Sequence, residues 1–548
     1  MHEIGSKTAP DAEYDQVKRV DGFAKIQSEY TVYLTDESKL VSQSVEHLFI
    51  PKNEAELASV MCEMGKKHIP ITVAGARTGL VGGSVPALGA VISLEHLDQI
   101  DSVSYDPAAG EWRVRAQACV SLKALDTMLK SKRFPSLEKS PNASVRAEHE
   151  CFKADPHAYF YPPDPTEMSA SLGGSVVTNA SGARTFRYGP TRAWVRGIRV
   201  FLADGEYLDI PRGKYFASSA GQFIITNSTG QARTINIPDY ILPKTKCAAG
   251  FYTAPKMDLI DLFIGSEGVL GIVTCVDVAL LKHEPKVSIV QFLDADAQAI
   301  RLTQALRSDA RVQLDFLEFY SGNALNLLRS VQAESPSTVG MPFIPSGARS
   351  ALFFELGYDP HADTSQLQIL MEIITNLGAD PAASWVAHEP RELERFKVFR
   401  HLLPETINSI IAERKKAFPG LHKLGTDLAV TDEHLPAIWE LYQTHCDALG
   451  LEWVAFGHIG NNHIHVNILP RDMGELHKGL ELYELFAQKA VEWGGAVSAE
   501  HGIGKIKQKF LGIMFTSDQV EQMQRIKAVL DPANLLNPGD LFPLEVSA

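Results

Sequence analysis

The stretch AGARTGLVGGS, residues 74–84, decides the fold, because it places four glycines around Arg77 and Thr78 directly after a short β-branched run. Closely spaced glycines let several backbone N–H groups converge on an anionic group, and Arg77 can add a positive charge. The stretch lacks the G-K-[ST] of a Walker A loop and the G-x-G-x-x-G of a dinucleotide fingerprint. Taken alone, it is as typical of an ordinary loop in tight turns as of a loop that binds phosphate.

Two further glycine-rich stretches follow in order. PPDPTEMSASLGGSVVTNASGARTFRYG, residues 162–189, offers small residues where a flat ligand could approach the backbone, and IGSEGVLGIVT, residues 264–274, adds another such turn. The order of the three stretches resembles the PCMH-type FAD-binding domain of the vanillyl-alcohol oxidase and p-cresol methylhydroxylase superfamily. In that superfamily the first loop cradles the FAD pyrophosphate, and the other two line the isoalloxazine and adenine ends.

This resemblance covers about residues 45–283 and implies a set of FAD-binding residues. The set comprises Gly75, Ala76, Arg77, Thr78, Gly79, Gly82, Gly83 and Ser84 in the first stretch, Pro163, Asp164, Gly173, Gly174, Asn179, Gly182 and Gly189 in the second, Glu267, Gly268 and Ile272 in the third, and Asn537 near the C-terminus. Some members of the superfamily attach FAD covalently through a histidine of the first loop. This loop has no histidine, so the resemblance implies noncovalent FAD.

WVAFGHIGNNHIHVNILP, residues 453–470, carries three histidines in an apolar run. Two antiparallel strands joined by a two-residue Asn461-Asn462 turn would pair His458 with His465, since both asparagines tolerate the positive φ of a type I′ turn. Alternation along the strands then puts one polar set on a single face: Phe456, His458, His463, His465 and Asn467. Directly paired residues have Cβ atoms ~4.5–5.5 Å apart, close enough for two imidazoles to share a cation. A pair of structural histidines on a strand is the alternative.

Within the superfamily, the C-terminal half resembles the branch of D-lactate dehydrogenase, glycolate oxidase and D-2-hydroxyglutarate dehydrogenase. The motifs that carry this resemblance are FGHIGNNHIHVN, SAEHGIGKIK and DPANLLNPGDLF. It implies oxidation of a 2-hydroxy acid, a divalent metal such as zinc held by His458, His465 and Glu500, and His501 as general base. His463 replaces the asparagine usual at this position, and it could serve as a spare ligand or a hydrogen-bonding neighbour.

The same branch implies two cations for the substrate carboxylate, Arg400 and Lys423. Lys423 lies four residues before Asp427, where many relatives place the lysine two before, and Pro404 replaces the usual threonine one turn after the arginine. Both departures leave the identity of the acid open. A solvated position on a helix is the alternative for Arg400.

The fold class predicted is α+β, with a two-subdomain FAD-binding domain followed by a ferredoxin-like substrate domain that carries an antiparallel sheet. From residue 284, strands such as KVSIVQFL and ALFFELGY alternate with helices such as SQLQILMEIITNLG, which predicts helices on one face of a sheet. The predicted divisions are an N-terminal extension (1–44), the FAD-binding domain (45–283), the substrate domain (284–500) and a C-terminal segment that returns to the flavin (501–548).

Bulk composition excludes several classes of function. A net charge of −14 argues against nucleic acid as a partner. The six cysteines lie far apart, so zinc ribbons and iron–sulfur clusters are unsupported. No apolar leader and no run of about 18 apolar residues is present, which predicts no transmembrane segment and a cytoplasmic protein, either free or peripheral to a membrane.

The expected partners are a small 2-hydroxy acid and an electron acceptor: a quinone, an electron-transfer flavoprotein, an iron–sulfur subunit or oxygen. The oligomeric state stays open, a homo-oligomer included. Two other functions share the flavin domain. One is an oxidase or dehydrogenase of a sugar-derived or alditol substrate, which needs neither metal nor arginine. The other is a noncatalytic subunit of a glycolate-oxidase-like complex, against which the joint presence of His458, His465, Glu500 and His501 speaks.

Overall fold

The computed structural model describes residues 2–10, 13–164, 167–334, 340–358 and 365–544. In the first half the strands are β1 Glu3–Gly5, β2 Lys18–Asp21, β3 His47–Ile50, β4 Ile71–Ala74, β5 Ala90–Ser93, β6 Ile100–Asp106, β7 Glu111–Gln117, β8 Tyr159–Phe160, β9 Val195–Phe201, β10 Tyr207–Pro211, β11 Gln222–Thr226, β12 Ala232–Asn236, β13 Ile272–Ala279 and β14 Leu281–Lys282. The helices there are α1 Phe23–Glu29, α2 Glu54–Lys67, α3 Leu122–Ser131, α4 Pro135–Glu138, α5 Ala143–Ala154, α6 Leu172–Val177, α7 Thr185–Tyr188 and α8 Ile260–Phe263.

In the second half the strands are β15 Lys286–Leu293, β16 Leu314–Tyr320, β17 Ser350–Gly357, β18 Ser384–Ala387, β19 Leu424–Gly425, β20 Trp453–Gly457 and β21 His465–Ile468. The helices are α9 Asp296–Ser308, α10 Gly322–Glu334, α11 Ser365–Asn376, α12 Pro390–Lys415, α13 Leu435–Ala448, α14 Met473–Glu492, α15 Gln508–Met514 and α16 Ser517–Leu530. The chain therefore mixes helices and sheets throughout, as the α+β prediction requires.

Two sheets form the main part of the first half and give it two layers. A four-stranded sheet has the order β2-β3-β5-β4, with β5 parallel to both β3 and β4. A five-stranded antiparallel sheet has the order β10-β9-β13-β7-β6. Helix α2 is capped at its N-terminus by Asn53, whose side chain accepts a hydrogen bond from the backbone N–H of Glu56 at 2.9 Å.

The second half is built on a seven-stranded antiparallel sheet of order β18-β15-β17-β16-β20-β21-β19. The prediction of an antiparallel sheet is confirmed, but the prediction of helices on one face is wrong. Helices α9 and α11 share a core cluster with Leu317 and Phe354, whereas α10 and α12 share another with Phe316 and Phe353. Alternate residues of each strand therefore face two separate helical layers, which is why β16 is buried along its whole length.

The C-terminal segment returns to the first half and extends the four-stranded sheet. Leu536 forms a parallel bridge with Ile71 of β4, and the side chain of Asn537 accepts a hydrogen bond from Val73 N at 2.8 Å. Helix α16 ends just before Asp531-Pro532, because proline cannot continue a helix. Buried Lys527 fixes the turn that follows by donating to Asp531 Oδ2 and to the backbone oxygens of Val269 and Leu536.

Candidate active site

The hairpin that carries the three histidines differs from its predicted form. Strands β20 and β21 pair Phe456 with His465, so the register is displaced by two residues from the predicted pairing of His458 with His465. The connection runs from His458 to Ile464 and contains a 3₁₀ turn, and only Asn462 of the two asparagines has positive φ. Because the displacement is an even number of residues, His465 and Asn467 keep the predicted face.

His458, His465 and Glu500 lie together even so. His458 Nε2 is 3.3 Å from Glu500 Oε1, and His465 Nε2 is 3.7 Å from Glu500 Oε2. The three donor atoms all lie within 4.8 Å of one another. Residues from a hairpin and from a loop 35 or more positions later thus form a group with the donor types and spacing of a divalent metal site.

Both histidines are oriented by contacts at the other ring nitrogen. His465 Nδ1 lies 2.8 Å from the backbone oxygen of Thr426, which accepts a hydrogen bond from it and leaves Nε2 with its lone pair. His458 Nδ1 lies 3.2 Å from the buried carboxylate of Glu318, close enough for an ionic contact but without a well-aligned hydrogen bond within the described residues. Such outer contacts fix the tautomer and the direction of a metal-binding imidazole.

His463 is buried in the same cluster but outside the three-residue group. Its Nε2 lies 3.2 Å from Asp427 Oδ1 and its Nδ1 lies 3.9 Å from Glu500 Oε1, and neither nitrogen forms a well-aligned hydrogen bond within the described residues. Burial and the neighbouring His465 lower the pKa of His463 to about 3, so its ring is neutral at physiological pH. This geometry favours a neutral neighbour over a fourth ligand.

Asp427 holds the loop that presents Glu500 and His501. Its carboxylate accepts hydrogen bonds from the backbone N–H groups of Glu500 and His501 at 3.0 Å each, and from Lys507 Nζ at 2.7 Å. Burial opposes ionisation of Asp427, but His501 and Lys507 outweigh it and hold the pKa well below its usual range. Burial lowers the pKa of the His501 imidazole to about 4, and its Nδ1 lies 3.4 Å from Asp427 Oδ2.

The two predicted substrate cations have different environments. Arg400 lies on α12 and is already paired, with Glu318 Oε1 at 3.2 Å and Asp164 Oδ2 at 3.7 Å, so it does not lie on a solvated helix face. Burial alone would lower the pKa of Arg400, but Glu318 and Asp164 raise it. Lys423 is partly buried next to β19, has no carboxylate partner within the described part of the chain, and has its pKa lowered by burial.

One cleft is lined by residues of the three glycine-rich stretches and also by Glu500 and His501. Thirteen of the predicted FAD-binding residues line it: Gly75, Ala76, Arg77, Thr78, Gly79, Gly83, Ser84, Gly173, Gly174, Glu267, Gly268, Ile272 and Asn537. Six others lie outside its lining: Gly82, Pro163, Asp164, Asn179, Gly182 and Gly189. Among these six, Asp164 faces Arg400, and Asn179 accepts a hydrogen bond from Arg192 N at 3.0 Å.

Two residues that line the cleft, Glu267 and Asn537, connect segments that are distant in the sequence. Glu267 accepts hydrogen bonds from the backbone N–H groups of Ile503 and Gly504 at 2.8 and 2.7 Å, and Asn537 Nδ2 donates to the backbone oxygen of Glu267 at 3.0 Å. Burial raises the pKa of Glu267 to about 7. The third glycine-rich stretch, the His501 loop and the C-terminal segment are therefore tied together at one point.

Comparison with known proteins agrees with this arrangement. A model of the C-terminal domain of FAD linked oxidases matches residues 282–541, and a model of a FAD binding domain matches residues 45–144 and 152–211. The chain belongs to the FAD-linked oxidase family. It is a flavoprotein oxidoreductase by family, and its two matched domains correspond to the two halves of the fold.

Curated relatives of this FAD-linked oxidase cover nearly its whole length. The glycolate oxidase subunit GlcD of Bacillus subtilis is 25% identical over 540 residues, covering 96% of this chain and 95% of that protein. D-2-hydroxyglutarate dehydrogenase of Xanthomonas citri pv. viticola is 26% identical and covers 90% of this chain and 88% of its own. D-lactate dehydrogenase of Archaeoglobus fulgidus is 24% identical and covers 89% of each chain. These relatives are named for different 2-hydroxy acids.

A solved structure of alkyldihydroxyacetonephosphate synthase has the same fold as this FAD-linked oxidase. The TM-score is 0.62 at 14% identity, and the match covers 97% of this chain and 88% of the other. A fold shared at that identity carries no information on substrate. Among the described residues, no helix has both the length and the apolar character needed to cross a bilayer.

Sequence reasoning missed four charged residues of this FAD-linked oxidase that contact the site: Lys246, Glu318, Asp427 and Lys507. Lys246 Nζ donates to Glu500 Oε1 from a segment outside the motifs that suggested the site. Glu318 is the one carboxylate in the otherwise apolar run FLEF, and a charge in the middle of a buried strand was the available signal. For Lys246 and Lys507, no local pattern distinguishes them from surface lysines.

Proposed function

We propose that the chain is an FAD-dependent dehydrogenase that oxidises a D-2-hydroxy acid, of the D-lactate, glycolate or D-2-hydroxyglutarate type, to the 2-oxo acid. The observation that carries the proposal is the meeting of two independent features in one cleft. The cleft is lined by residues of the three glycine-rich stretches and by Glu500 and His501 of the other half. A hydroxy acid bound beside Glu500 and His501 would lie between a cofactor and a group of histidines and carboxylates.

The residues of the cleft fit FAD. An added Cβ at Gly173 would come within 2.6 Å of Ala118 Cβ, so this stretch is packed as closely as a backbone that approaches a flat ligand requires. The residues proposed to hold FAD are the nineteen predicted from the sequence, of which thirteen line the cleft. FAD, when bound, supplies the two-electron acceptor.

Noncovalent attachment of FAD is part of the proposal. The first loop has no histidine, and burial raises the pKa of Cys119, the thiol that lines the cleft, to about 12. A thiol with such a pKa is a poor nucleophile at neutral pH.

The group of His458, His465 and Glu500 fits a divalent metal such as zinc. Two imidazole nitrogens and one carboxylate are a common ligand set for a catalytic zinc with an open position, and contacts to Thr426 and Glu318 orient the imidazoles. A metal held there would supply a Lewis acid for the hydroxyl and carboxylate of the substrate.

His501 is proposed as the general base that takes the proton of the substrate hydroxyl. Its low pKa keeps the ring neutral, its Nδ1 faces Asp427, and its position in the lining of the cleft leaves Nε2 for the substrate. His458 and His465 position the substrate beside Glu500. Arg400 and Lys423 are proposed to bind the carboxylate, and Lys423 is the better supported because it has no acidic partner within the described residues.

The proposed division of labour follows the predicted boundaries: residues 45–283 hold FAD, residues 284–500 bind substrate, and residues 501–548 pack back on the flavin half. The electron acceptor is proposed to be a quinone, an electron-transfer flavoprotein or an iron–sulfur subunit. One observation favours a second candidate, an alditol or sugar-derived substrate, because Arg400 is already occupied by Glu318 and Asp164. An alditol would need no free guanidinium.

Anaerobic reduction of the bound flavin tests the proposal. FAD should be released by denaturation without proteolysis, and at least one D-2-hydroxy acid of a panel should bleach the visible flavin band, with or without added Zn²⁺ or Mn²⁺. The L-enantiomers and a series of alditols are the controls. Bleaching by an alditol and by no acid would favour the second candidate, and bleaching by neither would refute both.

A further inference from the structure

Lys246 lies buried beside the proposed metal ligand Glu500. Its side chain is 4% exposed, and Nζ donates to Glu500 Oε1 and to the backbone oxygen of Gly182 at 3.4 Å. The segment that carries it is fixed to the Glu500 loop, because Ala248 N donates to Ser498 O at 2.8 Å. The ammonium group is therefore held next to the carboxylate and not placed there by a flexible surface chain.

The charges around the site are balanced before any metal is considered. Three buried carboxylates each have a buried or partly buried cation: Glu318 with Arg400 at 3.2 Å, Asp427 with Lys507 at 2.7 Å, and Glu500 with Lys246. A divalent ion that entered this group would add two positive charges beside three carboxylates that each already have a cation.

Glu500 Oε1 contacts both Lys246 and the proposed metal ligand His458. It receives Lys246 Nζ, and it is also the oxygen that lies 3.3 Å from His458 Nε2. An oxygen that donates electron density to an ammonium is a weaker ligand for a metal ion, and two cations a few ångströms apart repel each other strongly in a buried setting.

We propose that Lys246 is the resident counter-cation of Glu500 and that it competes with a divalent metal for this carboxylate, thereby setting how tightly the metal binds. Lys246 is a positioning residue in this account: it holds Glu500 between the two histidines when no metal is present and opposes the metal when one arrives. The inference rests on the proposed metal site, but it does not depend on which substrate is oxidised.

Zinc binding to the FAD-loaded protein tests the inference. The protein is stripped of metal with a chelator and titrated with Zn²⁺ by calorimetry, for the wild type and for Lys246→Met, Lys246→Gln and Lys246→Arg. Removal of the ammonium should tighten Zn²⁺ binding at least about tenfold in the Met and Gln variants, because a unit charge at this range is worth more than that factor in a partly screened site. The Arg variant keeps the charge and should bind Zn²⁺ as the wild type does.

A second substitution shows where the zinc binds. Adding His458→Ala to Lys246→Met should abolish the gain, since the tightened ion must use the His458 ligand. Retained FAD and an unchanged circular dichroism spectrum show that each variant is folded. Two variants that remove the charge, Lys246→Met and Lys246→Gln, are used so that a local rearrangement in one of them does not decide the result. Zn²⁺ binding that is no tighter in either the Met or the Gln variant overturns the inference, as does a gain that survives His458→Ala. Loss of flavin reduction by every acid would refute the proposed function and leave this result standing.

Discussion

Replacement of Asp427 by asparagine should lower both the stability of the protein and the order of its active-site loop. Asp427 is fully buried, and its carboxylate pairs with the ammonium group of Lys507, whose side chain is 9% exposed. Removing one partner of a buried ion pair leaves an uncompensated charge and typically costs about 3–5 kcal/mol. In a domain of about 150–250 residues, each kcal/mol of lost stability lowers the melting temperature by about 2–4 °C, so the melting temperature should fall by roughly 6–20 °C.

The assay is differential scanning calorimetry of the FAD-loaded protein, with Asp309→Asn as the matched control. Asp309 pairs with Arg311 on the surface, so its replacement should leave the melting temperature unchanged. Adding Lys507→Met to Asp427→Asn should restore most of the lost stability, because an apolar residue removes the unpaired charge.

Flavin reduction should separate the two roles of Asp427. The backbone N–H groups of Glu500 and His501 lose an ionised acceptor in Asp427→Asn, and Lys507→Met cannot return it. The rate should therefore stay low in the double variant while its melting temperature recovers. A melting temperature for Asp427→Asn within the error of the wild type would refute the reasoning that this carboxylate holds the site together.

Three further results are expected. Burial raises the pKa of Asp540 to about 8, so the protonated Asp540 stabilises the fold below pH ~3.8, and this stabilisation is lost as the pH rises to about 8. Asp540→Asn should remove that part of the pH dependence of the melting temperature. Parallel curves of melting temperature against pH for the wild type and the variant would contradict this. Gly173→Ala should lose FAD, measured as flavin per chain, because its Cβ would meet a methyl carbon at 2.6 Å, whereas Gly512→Ala has open space and should keep it. His465→Ala should abolish zinc binding and flavin reduction together, whereas His463→Asn should keep both within about tenfold; equal losses would make His463 a ligand.

Regular elements with strong local patterns could be predicted from the sequence. The predicted strand KVSIVQFL begins and ends at the same residues as β15. Asn53 caps α2, as its position just before apolar residues at helical spacing suggests. These predictions succeed because hydrophobic period and capping are properties of neighbouring residues. The two-layer arrangement of helices around the seven-stranded sheet was missed, since it depends on which apolar face of each strand meets which helix.

At the site too, local patterns could be predicted from the sequence and contacts between distant residues could not. Residues of all three glycine-rich stretches line one cleft, whereas the hairpin register is displaced by two residues from its prediction because a 3₁₀ turn replaces the tight turn assumed at Asn461-Asn462. Lys246 and Glu500 are 254 positions apart, and Asp427 and Glu500 are 73 apart. Contacts across such separations are set by tertiary packing, so no local pattern in one sequence could reveal them.

The most direct test of the central claim is the stoichiometry of a single anaerobic turnover. The FAD-loaded wild type, mixed with the D-2-hydroxy acid that bleaches it fastest, should form one 2-oxo acid for each flavin reduced, and His501→Asn should slow that reduction by about 10²–10⁴-fold with FAD retained. A flavin that is reduced without formation of a 2-oxo acid, or a rate that His501→Asn leaves unchanged, would contradict the account.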